Sequence, residues 1–67
     1  MTNIQVKMPT LNRHSIYKTD SGLGGVFKLK FLLQDEIDVY HFQNISLGFE
    51  SWQHKVKPGE INDFLIQ

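Results

Sequence analysis

Hydrophobic and polar residues alternate most regularly between residues 26 and 33. Phe27, Leu29, Phe31 and Leu33 fall on one side of an extended chain, and two lysines fall on the other side. A repeat of two residues is typical of a half-buried β-strand, because successive side chains of a strand point to opposite faces. We therefore predict a strand over 26–33 whose buried face carries the four apolar residues.

A second alternating segment runs from 39 to 45, with Tyr40 and Phe42 on one face. The polar stretch 34–38 separates it from the first segment and is typical of a turn, so the two strands should form a hairpin. A helix over 32–40 is the competing interpretation. Aromatic and β-branched residues favour the pleated surface of a sheet, which supports the hairpin.

Two further strands are predicted in the first third of the chain. Ile4, Val6 and Met8 alternate with polar residues, and a second short strand is expected around 15–18. The segment 20–25 contains three glycines, which accept positive φ angles without a steric penalty. We predict that it is a hairpin loop.

The region after residue 46 carries two conflicting periodicities. Phe49, Trp52 and Val56 have the spacing of a short amphipathic helix at about 48–56. Trp52, His54 and Val56 also alternate, which is typical of a strand. The pattern alone leaves both structures open.

The tail 61–66 fits either a closing strand or a helical turn. Short strands about ten residues apart, separated by turn signals, predict a mainly β or α+β fold. We expect one domain over residues 1–67, built as a small antiparallel sheet or barrel with one short helix at most.

Composition narrows the function classes. Hydrophobic residues make up 40% of the chain and aromatic residues 12%, which indicates a folded domain and not a disordered segment. Seven basic and seven acidic residues cancel, so the total charge indicates neither a strongly basic nucleic-acid binder nor an acidic mimic of DNA.

The absence of cysteine excludes disulfides and thiolate metal sites. No apolar run is long enough to span a membrane, and no signal segment is recognisable at the N-terminus. We therefore expect a cytoplasmic protein with no membrane partner.

Residues with catalytic or metal-binding chemistry are scattered along the chain. His14, His41 and His54 follow no recognised ligand spacing. Pairs such as His41 with Asp38 or His54 with Glu50 would need a cleft that perturbs their pKa values, which so short a chain scarcely encloses. We expect no catalytic residue, no metal, no cofactor and no enzymatic activity.

Aromatic residues are the main indication of function. Eight aromatic residues are many for so thin a core, and exposed aromatic clusters mark binding surfaces. Phe49, Trp52 and Val56 are the candidate contacts with a protein partner, because tryptophan is enriched at interface hot spots. The alternative is that this stripe covers the sheet as core. An exposed sheet edge would also favour homodimerisation.

A nucleic-acid-binding β-barrel is the alternative function. Lys28 and Lys30 share a strand face, and Tyr40 lies nearby in the pattern. Basic residues interleaved with aromatic residues neutralise and stack single-stranded nucleic acid. Lysines on an ordinary solvated face are the simpler interpretation, so nucleic acid is the less favoured partner.

Four short elements between residues 32 and 50 carry a family resemblance. They are Leu32-Leu33-Gln34-Asp35, Tyr40-His41, Ser46-Leu47 and Phe49-Glu50. In this order they resemble the small uracil-DNA glycosylase inhibitor of phi29-type phages. The resemblance implies a sheet with one helix, a homodimer, and inhibition of the glycosylase by occupation of its DNA-binding site.

The resemblance also implies site residues. Phe49 and Glu50 correspond to the family's contact residues at the start of a helix, and a third, aromatic contact falls at Gln53, with Trp52 beside it. The chain departs from the family in its neutral charge and its longer N-terminal region. We expect a phage or mobile-element protein that acts in the cytoplasm of the host cell. It should inhibit or modulate a host enzyme through Phe49, Glu50, Trp52, Gln53 and Val56.

Overall fold

The computed structural model describes residues 9–66. The predicted strand over 4–8 lies outside the described residues. The elements within this range are four strands and one short helix: β1 (Ile16–Asp20), β2 (Val26–Gln34), β3 (Tyr40–Asn44), β4 (Gln53–Val56) and α1 (Ile61–Phe64).

The four strands form one antiparallel sheet in the order β1-β2-β3-β4. Each strand pairs with its neighbour in sequence, so tight turns suffice and no crossover is needed. This arrangement confirms the predicted antiparallel, mainly β fold with one short helix. Within residues 9–66, β1 and β4 lie at opposite edges and do not pair, so these strands form an open sheet and not a closed barrel.

The first connection is the predicted glycine-rich hairpin loop. The carboxylate of Asp20 accepts a hydrogen bond from the Gly22 amide at 2.8 Å, and Ser21 Oγ accepts one from the Leu23 amide at 3.0 Å. Gly22 and Gly24 have φ angles of 74° and 92°, which glycine adopts without strain. The side-chain bonds and the glycines together close the loop between β1 and β2.

The core lies on one face of the sheet, called here the inner face. β2 and β3 meet there through Phe31 and Phe42, which are register partners with ring centroids 5.5 Å apart. Phe42 is fully buried, as expected for a position at the centre of the sheet. The buried apolar residues are Phe27, Leu29, Phe31, Tyr40, Phe42, Val56 and Ile61.

One residue of the predicted buried face does not lie there. The pairing of β2 with β3 shifts register between Phe31 and Leu33, so that Leu33 is opposite His41. A bulge of this kind inserts one extra residue and turns the following side chain to the other face. Leu33 is therefore 42% exposed, and the predicted alternation holds only as far as Phe31.

Of the two structures that the sequence leaves open for 48–56, the strand is correct and the helix is not. Residues 53–56 form β4, in which Val56 pairs with Tyr40 and His54 with Phe42. The alternation of Trp52, His54 and Val56 was thus the correct signal for this segment. The helix lies later, at Ile61–Phe64, where the sequence left a helical turn open.

After β4 the chain crosses the inner face and reaches the opposite edge of the sheet. Residues 61–66, called here the C-terminal strap, bury Ile61 against the core and place Leu65 opposite Thr19 of β1. The Ile66 amide donates to the Lys18 carbonyl at 2.9 Å, and Thr19 Oγ1 donates to the Phe64 carbonyl. The strap therefore covers the core and part of the β1 edge.

Candidate protein-binding site

The connection between β3 and β4 consists of two consecutive turns. The Phe49 amide donates to the Ser46 carbonyl and the Trp52 amide donates to the Phe49 carbonyl, both at 3.0 Å. Gly48 occupies the third position of the first turn with a φ angle of 88°, a conformation that turns of type II require. The two turns fold Phe49 back toward the sheet.

Phe49, Trp52 and Phe27 form a compact group, called here the aromatic corner. The ring centroid of Phe27 lies 4.8 Å from that of Phe49 and 5.9 Å from that of Trp52, and the other two rings are 5.1 Å apart. Edge-to-face aromatic pairs contribute about 0.5–1.5 kcal/mol beyond their buried area. Phe27 is buried, whereas Trp52 stays 50% exposed, so edge-to-face contacts with the core hold an accessible indole.

A polar network fixes the backbone beside the aromatic corner. The Gln43 side-chain amide donates to the carbonyls of Glu50 and Trp52, and its oxygen accepts from the Gln53 side chain at 3.3 Å. The Glu50 carboxylate accepts from the Gly48 amide at 3.1 Å. These bonds join the loop to β3 and β4, so Trp52 is presented from an ordered segment.

The structure brings Phe49 and Trp52 together, with Glu50 between them in the same connection. Phe49 is partly buried in the aromatic corner, and Glu50 and Trp52 are exposed beside it. Gln53 is also exposed, but as the register partner of Gln43 its side chain projects to the outer face of the sheet. Val56 is different, because its side chain is only 4% exposed and packs in the core opposite Tyr40. Val56 is therefore a structural residue and has no surface to offer a partner.

The resemblance implied that Phe49 and Glu50 open a helix, and this expectation is also wrong. Both residues lie in the turns that precede β4. Leu47, at the tip of the first turn, was not predicted as a contact, although it is 92% exposed. The sequence signal that could have identified Leu47 as an exposed residue was its position directly before Gly48, since glycine is typical of turns.

The β4 edge adjoins the aromatic corner. The Asn44 amide donates to the Trp52 carbonyl at 3.0 Å, so Trp52 and every second residue after it direct their backbone groups toward β3. Gln53 and Lys55 then direct theirs away from the sheet. Within the described part of the chain, no strand pairs with this side of β4.

The residues predicted for nucleic-acid binding separate onto two faces. Lys28 and Lys30 lie on the outer face of β2, opposite the core. Tyr40 is only 1% exposed, and its hydroxyl donates to the Pro9 carbonyl at 2.9 Å. Burial, and secondarily the charge of Asp38, raises the pKa of Tyr40 above its usual value. Tyr40 is a core residue and cannot stack a base beside the lysines.

The two sheet histidines have partners other than those suggested by the sequence. His41 Nε2 lies 2.8 Å from the Asp35 carboxylate, which also accepts bonds from two backbone amides of the β2–β3 turn. The hydrogen bond with His41 is the main cause that lowers the pKa of Asp35. His54 Nε2 lies 3.2 Å from the Asn44 side chain, and burial lowers the pKa of His54. The two imidazoles project to opposite faces of the sheet.

Two clefts of about 350 and 270 Å³ border the N-terminal side of the described chain. Pro9 and Leu11 line both of them, and Arg13 and Tyr40 line the larger one. Neither cleft reaches the aromatic corner. Because Pro9 is the first described residue, we assign no binding site to them.

No three histidine or acidic side chains within residues 9–66 converge on a common point where a metal ion could bind. In the same range, no helix has the length and apolar character needed to cross a membrane.

Comparison with protein-family models, with curated proteins and with solved structures gave no match. The candidate site therefore stands on its geometry alone.

Proposed function

We propose that the protein is a small protein-binding module that inhibits or modulates an enzyme of a host cell. Its contact surface is the exposed side of the aromatic corner with Leu47 and Glu50, and the adjoining β4 edge, to which Gln53 contributes its backbone groups. The observation that carries the proposal is the half-exposed Trp52, held by Phe27 and Phe49 beside a strand edge with which no other described strand pairs.

The chemistry of this surface is that of a binding hot spot. Leu47 and Trp52 are 92% and 50% exposed and lie in the same eight-residue connection, 45–52, between β3 and β4. Tryptophan at a well-packed position can contribute 2 kcal/mol or more, roughly 30-fold in affinity, to a complex. Because two turns and the Gln43 network already order this loop, binding costs little additional conformational entropy.

The β4 edge supplies a second mode of contact. A partner strand that adds to Gln53 and Lys55 gains backbone hydrogen bonds, and its end lies next to Trp52. The same edge can pair with β4 of a second copy, so a homodimer is part of the proposal. The partner protein and the second copy then compete for one edge.

Uracil-DNA glycosylase is the first enzyme to test, because the four sequence elements resemble its phage inhibitor. Purified glycosylase is assayed for uracil excision with increasing amounts of the wild-type protein and of Trp52→Ala. We expect inhibition by the wild-type protein and at least tenfold weaker inhibition by the variant. Unchanged excision at a large molar excess excludes this enzyme as the target.

An affinity capture from bacterial lysate tests the general function. Wild-type protein, Trp52→Ala and Ile37→Ala are compared in nuclease-treated lysate, with captured proteins identified by mass spectrometry. Ile37 is a matched control, since it is 72% exposed but lies in the β2–β3 turn, away from the aromatic corner. We expect a protein that the wild type and Ile37→Ala retain and Trp52→Ala loses; equal retention by all three contradicts the proposed site.

A further inference from the structure

The outer face of the sheet carries a compact group of lysines. Lys18 of β1 is the direct register partner of Lys28 of β2, and Lys30 follows Lys28 on the same face. These three residues are called here the lysine triad. Sequence reasoning found the two lysines of β2 but missed Lys18, which only the strand pairing brings beside them.

No ion pair within residues 9–66 neutralises the triad. The ion pair found in this range joins His41 to Asp35, and no carboxylate lies within ion-pairing distance of a triad lysine. Asp20 is the nearest acidic residue along β1, and its carboxylate is bonded to the Gly22 amide. Like charges directly opposite each other on a sheet are destabilising, so the pairing of Lys18 with Lys28 opposes folding.

The negative charges are concentrated elsewhere. Asp35, Glu36 and Asp38 lie in the β2–β3 turn, and Glu60 and Asp63 lie in or next to the helix that covers the inner face. The zero net charge of the chain therefore conceals a cationic patch on the outer face. A patch of this kind has charge complementarity with an anionic macromolecule.

We propose that the lysine triad binds the phosphate backbone of double-stranded nucleic acid, at a surface separate from the aromatic corner. Alternate residues of a strand are roughly 7 Å apart, since the rise is about 3.4 Å per residue. The ammonium groups of Lys28 and Lys30 therefore match successive phosphates along one nucleic-acid strand. Lys18 extends the contact sideways across the face.

A duplex fits this surface better than a single strand. Binding of unpaired bases relies on aromatic side chains that stack beside the basic groups. Here Tyr17, Tyr40 and Phe42 alternate with the outer-face residues and lie on the inner face, and Trp52 belongs to the aromatic corner. Among the described residues the outer face carries no Phe, Tyr or Trp ring, and its one imidazole, that of His41, is bonded to the Asp35 carboxylate. The face thus offers mainly charges for phosphates, so binding should be independent of sequence.

The test is the salt dependence of binding to a short DNA duplex of mixed sequence. Three phosphate contacts predict a slope of about −2.7 for log affinity against log salt, or about a 40-fold loss between roughly 50 and 200 mM salt. Lys28→Gln leaves two contacts, with a slope of about −1.8 and about a 12-fold loss. Circular dichroism establishes that each variant is folded.

Two variants serve as matched controls. Lys57→Gln removes a lysine beyond the end of β4 and should leave the slope unchanged. Trp52→Ala should also leave duplex binding unchanged, so failure of the protein-binding proposal and failure of this one can be distinguished. Asp20→Asn removes the nearest negative charge while keeping the acceptor for the Gly22 amide, and it should strengthen binding.

Three further probes decide between anionic partners: a single-stranded DNA of equal length, poly-glutamate, and vesicles of phosphatidylserine and phosphatidylcholine. We expect each to bind more weakly than the duplex. The proposal is overturned if the duplex does not bind at low salt, or if Lys28→Gln keeps the wild-type slope. Equal or tighter binding of any other probe also overturns it, and identifies a single strand, an acidic protein or a membrane instead.

Discussion

The imidazole of His41 and the carboxylate of Asp35 meet at 2.8 Å at the end of the β2–β3 hairpin. The other oxygen of Asp35 accepts hydrogen bonds from the amides of Ile37 and Val39, both at 3.0 Å. One carboxylate therefore organises the turn and also anchors it to β3. This explains how a polar turn with Asp38 at a positive φ angle of 65° is closed without glycine.

Asp35→Asn should lower the melting temperature at neutral pH. Asparagine keeps an oxygen for the two amides but loses the charged bond to His41. The pKa of Asp35 is lower in the folded protein than its ordinary value of 3.8, so its stabilisation is present above 3.8 and is lost as the pH falls through the folded value. Thermal melts between neutral pH and about pH 2 should show the wild type converging on the variant.

Glu36→Gln is the control for this comparison. Glu36 is exposed in the same turn, and the His41 contact belongs to Asp35. A difference between wild type and Asp35→Asn that persists undiminished at the acidic end would show that the charge is not responsible.

A second polar pair lies inside the sheet. Asn44 is fully buried, its side-chain amide lies 3.2 Å from His54 Nε2, and its oxygen accepts from the Ser46 amide at 2.9 Å. Asn44→Ala should destabilise the protein by about 1–3 kcal/mol, because buried polar groups lose their partners. Urea unfolding measures this loss. Asn12→Ala, at an exposed position, should change stability much less, and equal losses would contradict the importance of the pair.

The same pair makes stability sensitive to weak acid. Burial lowers the pKa of His54 below 6.5, so the folded state favours the neutral imidazole. Stability should be full above pH 6.5 and should fall as the pH drops from 6.5 through the folded pKa, since the unfolded chain binds the proton more readily. Unfolding of wild type and His54→Gln across this range measures the effect. A wild-type profile parallel to that of the variant would assign the dependence to other groups.

Trp52→Ala should separate binding from folding. The indole is half exposed and makes two aromatic contacts, so its loss should cost about 1 kcal/mol of stability but about 2 kcal/mol or more in a complex. Denaturant unfolding and partner affinity are measured on the same variant. If Trp52→Ala is unfolded, the aromatic corner is instead needed for the stability of the fold.

Lys18→Gln should raise stability while it weakens duplex binding. The substitution relieves the direct opposition of Lys18 and Lys28, which is worth about 0.2–1 kcal/mol on a sheet face. The gain should shrink at high salt, because exposed charges are screened. Lys57→Gln, which relieves no such pair, is the control. An equal gain in stability in both variants would show that the gain does not come from the pairing of Lys18 with Lys28.

Alternation along the chain was sufficient to predict β2, β3 and their hairpin, because apolar residues at every second position have only one way to share a face. It could not predict the bulge that turns Leu33 outward, since the extra residue is visible only in the pairing with His41. The apolar residues of the segment 48–56 fitted both the period of a helix and the two-residue period of a strand. The pairing of Val56 with Tyr40, a contact across 16 residues of sequence, decided between them.

The candidate site was predictable to a similar extent. Phe49 and Trp52 were identified from residue type, but their distinction from Val56 required knowledge of which face each side chain occupies. The lysine triad required the partner strand, because Lys18 and Lys28 are ten residues apart in sequence and adjacent only across the sheet.

The C-terminal strap has a consequence for the stoichiometry of assembly. A sheet with two free margins can add strands in both directions, which leads to filaments. Here the carbonyl of Lys18, in the middle of the β1 edge, already accepts a hydrogen bond from the Ile66 amide. Within residues 9–66 the β4 edge is therefore the more accessible one. Two four-stranded sheets joined there form one sheet of eight strands whose outer margins are both strapped. Association by this route therefore ends at a pair of molecules.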